Sequence, residues 1–194
     1  MTVDVCILAG GYGTRLRGFW DGPKCLVPVD GMPVLEHLIK RTLPFSRQIL
    51  LLLGHKADEV LAWKKNSCPH NEVIPVIQNP PEGVTRAICA ILHKLTPPVL
   101  ILNGDTLPSY DLNTLLHAAR IMGTETPITA AWCGSVYAGA AVFQQKGLDF
   151  LITGGDLDTL IADVAAHYRV SGFLDVGTPA TFTVAQTRKR ELPL

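Results

Sequence analysis

The chain opens on Val3 to Leu8, a run that is apolar except for Asp4 and ends abruptly at Ala9-Gly10-Gly11. A β-branched run of this kind, without strict alternation, is the pattern of a strand buried on both faces. Comparable runs recur at Gln48 to Leu53, Glu72 to Gln78 and Pro98 to Leu102. Between them Pro33 to Thr42, Ala57 to Lys65 and Val84 to Leu95 place apolar residues at helical spacing. The alternation predicts βαβ units and a mainly parallel sheet.

After Asp105 the rhythm changes. A helix is expected from about Asp111 to Arg120, followed by strands at Pro127 to Trp132 and Val136 to Phe143, close enough in sequence to form an antiparallel addition. The tail predicts a helix around Leu157 to His167, a strand from Tyr168 to Leu174 and a last helix near Pro179 to Lys189. No repeat or linker interrupts the chain, and Pro80-Pro81 and Pro97-Pro98 read as loop punctuation. One domain over residues 1–194 is expected.

Charge narrows the partners. Seventeen basic and seventeen acidic side chains give a formal net charge of zero, which argues against the broad basic face that nucleic acid or an anionic membrane requires. An anionic ligand must then be small and locally bound. The five cysteines, Cys6, Cys25, Cys68, Cys89 and Cys133, are scattered and form no Cys-x-x-Cys pair, so a reducing cytoplasm is expected. The start Met1-Thr2-Val3-Asp4 lacks a basic leader, and the apolar run Ile49 to Leu53 is far shorter than a membrane span.

Candidate chemistry begins where the first strand ends. Leu8-Ala9-Gly10-Gly11-Tyr12-Gly13-Thr14-Arg15-Leu16 sets three glycines and a hydroxyl directly after that strand, and backbone amides in such a turn attract phosphate. It is not a dinucleotide fingerprint, which would need glycine at Leu16, and no Gly-Lys-Ser/Thr of a P-loop is present. No Gly-x-Ser-x-Gly nucleophile elbow occurs either. The string continues through Arg17, Pro23-Lys24-Cys25-Leu26-Val27-Pro28-Val29 and Gly31-Met32-Pro33-Val34-Leu35-Glu36-His37.

In this combined string the chain resembles the sugar-1-phosphate nucleotidyltransferases, including the heptose-1-phosphate guanylyltransferase and glucose-1-phosphate thymidylyltransferase types. The resemblance covers most of the chain and is most specific over residues 6 to 39. It implies a Rossmann-like three-layer αβα sandwich of the GT-A-like, nucleotide-diphospho-sugar transferase kind, with a mixed, mainly parallel sheet. A nucleotide-binding part would span about 1–107 and an acceptor part about 108–194. The implied reaction joins a nucleoside triphosphate to a sugar 1-phosphate, with Mg2+, and releases pyrophosphate. Leu8, Ala9, Gly10, Gly11, Gly13, Thr14 and Arg15 would wrap the nucleotide phosphates. Arg15 would hold the departing pyrophosphate, and Lys24 would contact the reacting phosphates and the sugar phosphate.

The stretch Val76-Ile77-Gln78-Asn79-Pro80-Pro81-Glu82-Gly83-Val84-Thr85-Arg86-Ala87 resembles the family's base-binding loop. Gln78 and Gly83 would meet the base, because an amide can both donate to and accept from a base edge. Asn103-Gly104-Asp105-Thr106 ends a strand on the edge where open α/β sheets bind ligands. The resemblance adds Gly104 to the nucleotide site and makes Asp105 a Mg2+ ligand, joined by Asp175 of Phe173-Leu174-Asp175-Val176-Gly177-Thr178-Pro179. Without a ligand, either aspartate would be a turn or helix cap; Asp111 and Asp156 read as ordinary caps.

On the acceptor side the family's Glu-Lys-Pro element is not visible, and the region is shortened. Tyr137, Ala138 and Gly139 match the sugar-lining Asn-Ala-Gly element with Tyr for Asn. Two alternatives stand beside the main reading. One is a molybdenum cofactor guanylyltransferase, which shares the Leu-Ala-Gly-Gly opening but continues toward Arg-Met-Gly and Asp-Lys. The other is a catalytically silent nucleotide-binding subunit. Self-association into a homo-oligomer is compatible with all three.

Overall fold

The computed structural model describes residues 2–78 and 83–187. In chain order the strands are β1 (Val3–Leu8), β2 (Pro28–Val29), β3 (Met32–Pro33), β4 (Ser46–Leu53), β5 (Val73–Ile77), β6 (Val99–Asn103), β7 (Thr106–Pro108), β8 (Ile128–Cys133), β9 (Val136–Phe143), β10 (Ala166–Arg169) and β11 (Phe173–Asp175). The helices are α1 (Val34–Thr42), α2 (Ala57–Ser67), α3 (Val84–Ile91), α4 (Leu112–Met122), α5 (Gln145–Ile152), α6 (Leu157–Asp163) and α7 (Pro179–Thr187).

Seven strands form one sheet in the order β10-β8-β9-β6-β1-β4-β5. All neighbours are parallel except β9, which runs antiparallel to both β6 and β8. The apolar runs of the central strands bury both faces. In β4, Ile49, Leu51 and Leu53 enter one core with Leu35 and Leu38 of α1, Val60 of α2 and Leu115 of α4. Leu50 and Leu52 enter the other with Ile88 of α3, Leu148 of α5 and Ile161 of α6. The result is the expected αβα sandwich with a mixed, mainly parallel sheet.

Three local readings differ. Gln145–Ile152 is a helix that the pattern did not predict. The helix expected to reach His167 stops at Asp163, and His167 lies in β10. The strand expected over Tyr168 to Leu174 is two strands: β10 pairs with β8 in the main sheet, whereas β11 pairs antiparallel with β7. Ser171-Gly172 makes the break, with the Gly172 carbonyl accepting from Ser109 N at 3.1 Å. Asp111 and Asp156 do cap α4 and α6, accepting from Asn113 N and Thr159 N. The last two positions predicted for the final helix, 188 and 189, lie outside the described residues, as do 79–82 of the base loop.

Candidate active site

β1, β4, β5 and β6 all end on one edge of the sheet, and the glycine-rich turn leaves β1 there. Two main-chain bonds seat the turn against the β4 exit, from Ala9 N to Leu52 O at 2.9 Å and from His55 N to Gly10 O at 3.1 Å. Gly13 takes φ 61° and starts a short 3-10 turn, Thr14–Leu16, that buried Leu16 anchors. A second 3-10 turn, Lys24–Leu26, follows Pro23 and is pinned by buried Cys25. Burial pushes the Cys25 thiol up to about 12, so it packs as a neutral apolar group and steadies Lys24 beside it.

The Lys24 ammonium is ion-paired with Asp105 Oδ2 and stands 3.9 Å from Asp175 Oδ1. The two carboxylates come from distant segments, and the small β7–β11 ladder joins them. Asp175 lies opposite Thr106, and Val176 N donates to the Asp105 carbonyl at 2.9 Å. Asp105 Oδ1 also accepts from the Thr106 hydroxyl, and Asp175 Oδ1 from Gly177 N at 2.6 Å. Asp175 does not cap α7: Thr178 and Thr181 hydroxyls bond that helix start. Gly177 is confined, because a Cβ there would lie 2.5 Å from Lys24 Nζ and 2.6 Å from Asp175 Oδ1.

Two cavities flank this constellation. The first, about 320 Å3, is mostly apolar and is lined by Leu8, Gly10, Gly11, Gln78, Gly83 and Asp105 among others. Its size and character suit a nucleoside. The second, about 400 Å3, is more polar and includes Gly13, Arg17, Trp20, Asp21, Lys24 and Lys56 in its walls. Tyr12 lines both. Its ring is 59% exposed and stacks obliquely on His55, with centroids 5.1 Å apart.

The remaining sequence candidates fall elsewhere. Ala9 and Gly104 are buried behind the cavities. A Cβ on Gly104 would meet the Leu8 carbonyl at 2.6 Å, so this glycine permits close packing of β6 against β1. Thr14 and Arg15 sit on the exposed 3-10 turn. Tyr137 packs 6.1 Å from the Trp132 ring, and burial raises its phenol well above the ordinary range. Ala138 is buried, and Gly139 presses on Thr106; this segment supports the Asp105 turn from behind. Conversely, Tyr12, Arg17, His55 and Lys56 reach the cavities without having been singled out. Gly54-His55-Lys56 follows β4 at the ligand edge, a position that would have flagged them.

Asp105 and Asp175 offer hard oxygens to one cation. Such a pair fits Mg2+, which takes one or two carboxylates together with phosphate oxygens and water. Among the described residues no group of three or more His, Cys, Asp or Glu could hold a metal, so phosphate and water oxygens would complete the shell.

Residues 5–171 match the family described as the MobA-like NTP transferase domain. The chain belongs to that family. Curated relatives include the bifunctional protein GlmU of Methanocaldococcus jannaschii, 28% identical over 129 residues, covering 64% of this chain and 31% of that protein. GlmU of Cellvibrio japonicus is 37% identical over 106 residues, covering 53% and 22%. The chain thus spans less than a third of these relatives' length. HddC from Yersinia pseudotuberculosis superposes with a TM-score of 0.75 at 22% identity, covering 95% of this chain and 98% of that one. HddC is also known complexed with GMP-PN. UDP-glucose pyrophosphorylase from Acinetobacter baumanii gives 0.72 at 17% identity, covering 95% and 92%. At these identities the structures establish the nucleotidyltransferase fold. Among the described residues no helix is long and apolar enough to cross a membrane.

Proposed function

We propose that the chain transfers a nucleoside monophosphate from a nucleoside triphosphate to a sugar 1-phosphate, forming an NDP-sugar and pyrophosphate. The observation that carries this reading is Lys24 between Asp105 and Asp175, at the mouth of a nucleoside-sized cavity beside a glycine-rich turn. In the reaction an oxygen of the sugar phosphate bonds to the α-phosphorus, and the oxygen bridging the α- and β-phosphorus departs with its electron pair as pyrophosphate. The attacking oxygen is already ionised near neutral pH, so no general base is required. The protein's task is to align two anions and neutralise their charge.

Leu8, Gly10, Gly11, Gln78 and Gly83 would hold the nucleoside, and Gly13 and Thr14 amides the phosphates. Arg15, exposed on the 3-10 turn, would close on the pyrophosphate portion, and Lys24 would bridge the reacting phosphates. Asp105 and Asp175 would hold Mg2+, which when bound supplies charge neutralisation at the triphosphate. Tyr137, Ala138 and Gly139, on the strand that backs the Asp105 turn, would line the sugar phosphate. The whole stretch 1–194 would work as one domain in the cytoplasm, with the nucleotide part at about 1–107 and the acceptor part at about 108–194.

A second reading, a molybdenum cofactor guanylyltransferase, is favoured by the MobA-like family description. The Gly-Thr-Arg-Leu turn and Pro23-Lys24 favour the sugar acceptor. A screen of purified protein with Mg2+, each common nucleoside triphosphate and a panel of hexose and heptose 1-phosphates, read by pyrophosphate release, decides between them. Release with one pair establishes the reaction. Tight triphosphate binding with silence across the panel rejects the sugar-phosphate acceptors tested.

A further inference from the structure

The β7–β11 ladder that aligns Asp105 with Asp175 stands apart from the seven-stranded sheet and consists of three residue pairs. A two-stranded ladder of that length does not hold itself together. Part of its support is apolar, since Leu107, Leu174 and Val176 are buried in the core that α1 faces. The polar part comes from α1 itself. The Arg41 guanidinium, in the last turn of that helix, donates through Nη1 to the Pro108 carbonyl and through Nη2 to the Tyr110 carbonyl. Pro108 ends β7 and pairs with Phe173, the first residue of β11, and Ser109 N donates to Gly172 O at 3.1 Å. One side chain thus grips the stretch 108–110 against which β11 begins.

The grip calls for a guanidinium. Two carbonyls two residues apart face one planar fork, whereas a lysine ammonium is a single point. Both acceptors are neutral, so these bonds do not cancel the charge. Burial pulls the Arg41 guanidinium below its ordinary pKa, opposed by Tyr110 and Asp111. An apolar residue would pack α1 onto β7 without that desolvation; what it would not do is fix where β7 ends.

The other end of α1 carries the Lys24 turn. Val34 N donates to Val27 O at 3.0 Å, Val27 N closes the turn on Lys24 O at 3.2 Å, and the His37 ring bonds Val29 O at 2.9 Å. Lys24 touches the carboxylates only through its side chain. The element that the lysine turn and the carboxylate ladder share is therefore α1, a helix of nine residues and about 14 Å.

We propose that Arg41 is a positioning residue of the reaction: it fixes the β7–β11 ladder to α1 and so sets the distance between the Asp105–Asp175 pair and the turn that carries Lys24. This role rests on the nucleotidyl-transfer reading above, whereas the hold on the ladder exists in the unliganded chain. Arg41 acts only through the main chain of 108–110, and what it contributes is alignment of the charges that neutralise the reacting phosphates.

The test pairs amide hydrogen exchange of the full chain with steady-state pyrophosphate release, in Arg41→Lys and Arg41→Met. Without the fork, exchange in residues 106–109 and 173–177 should rise about tenfold while β1 and β4 keep their protection. The kcat should fall about tenfold in Arg41→Lys, which keeps the charge and one bond, and about 100-fold in Arg41→Met, with the triphosphate KM within about threefold of the unaltered chain. Asp4→Asn, which weakens the bonds to Arg47 and Thr96 at the opposite edge of the sheet, controls for general loss of stability and should leave ladder exchange and kcat unchanged. Full kcat in both variants, ladder exchange that does not rise, or a rise shared equally by β1 and β4 overturns the proposal. Should Arg41→Met not fold, Arg41→Lys decides by the same criteria. No pyrophosphate release from the unaltered chain overturns the parent reading instead, and exchange alone then decides the hold on the ladder.

Discussion

Gly177→Ala tests the arrangement of Lys24, Asp105 and Asp175 with a single methyl group. Its Cβ would lie 2.5 Å from Lys24 Nζ and 2.6 Å from Asp175 Oδ1, so both groups must retreat, each by roughly 1 Å, to reach ordinary contact. The Asp175 carboxylate is held by Gly177 N and sits at the end of the β7–β11 ladder, whereas Lys24 has a flexible four-carbon stem. The Asp175 carboxylate can therefore give only by rotating within its ladder position, and Lys24 moves the further, away from the point shared with Asp105. A misplacement of about 1 Å in a positioning group costs on the order of 100-fold in rate. The change should lower kcat for pyrophosphate release by about that factor, with an overpacking cost to stability of about 1–3 kcal/mol. Steady-state kinetics and thermal unfolding on the same preparation measure both. A variant that is folded and retains full kcat would refute the reasoning, because it would show that the position of Lys24 does not matter to the chemistry.

Asp105→Asn removes the Lys24 partner and half of the proposed Mg2+ ligand pair, and should lower Mg2+-dependent pyrophosphate release by about 100-fold or more; titrating Mg2+ against rate should show that excess metal does not restore it. Tyr12→Ala takes away the wall common to both cavities and the stack on His55, and should raise the triphosphate KM by about threefold to tenfold with kcat little changed. Asp4 is 2% exposed and accepts from Arg47 Nε at 3.0 Å and Thr96 N at 2.6 Å at the opposite edge of the sheet. Asp4→Asn should cost about 1–3 kcal/mol in denaturant unfolding without altering the triphosphate KM. Burial raises the Cys6 thiol far above the ordinary range and Cys25 to about 12. Both therefore stay protonated through pH 9, and mass spectrometry after alkylation of the native chain at pH 8 should find neither modified.

The first half of the fold was legible because each of its elements carries its own signal. Val3 to Leu8 and Gln48 to Leu53 bury both faces and need no tertiary context to be recognised, and α1, α2 and α3 start within a residue of where periodicity puts them. The tail was less legible because its signals are shared. Tyr168 to Leu174 reads as one strand by composition, but although Val170 N still bonds the Trp132 carbonyl of β8, the chain leaves the main sheet at Gly172, whose carbonyl accepts from Ser109 N. Helix α5, with Gly147 in its first turn, is a weak local former whose Leu148 and Leu151 are recruited by the core. At the site, Lys24, Asp105 and Asp175 stood out as candidates and the structure brings them together. His55 and Lys56 directly follow β4 at the ligand edge and were readable from that position, whereas the place of Tyr12 between the two cavities depends on how β4 exits beside β1, which no single segment encodes.

The break in the tail and the geometry of the two carboxylates are one feature. Had residues 168 to 174 continued as a single strand beside β8, Asp175 would have ended at the sheet edge, with β8 and β9 between it and β6, the strand that leads into the Asp105 turn. Leaving the sheet at Ser171-Gly172 lets Phe173–Asp175 cross to β7, the short strand that begins directly after Asp105. Because Thr106 pairs with Asp175 and Val176 N binds the Asp105 carbonyl, the two carboxylates are separated by one ladder rung and move together. Lys24 comes from a third segment and is tied to them only through its side chain. The rigid part of the site is therefore the carboxylate pair, and the adjustable part is the lysine, which is why a methyl group on Gly177 should change the rate far more than it changes the fold.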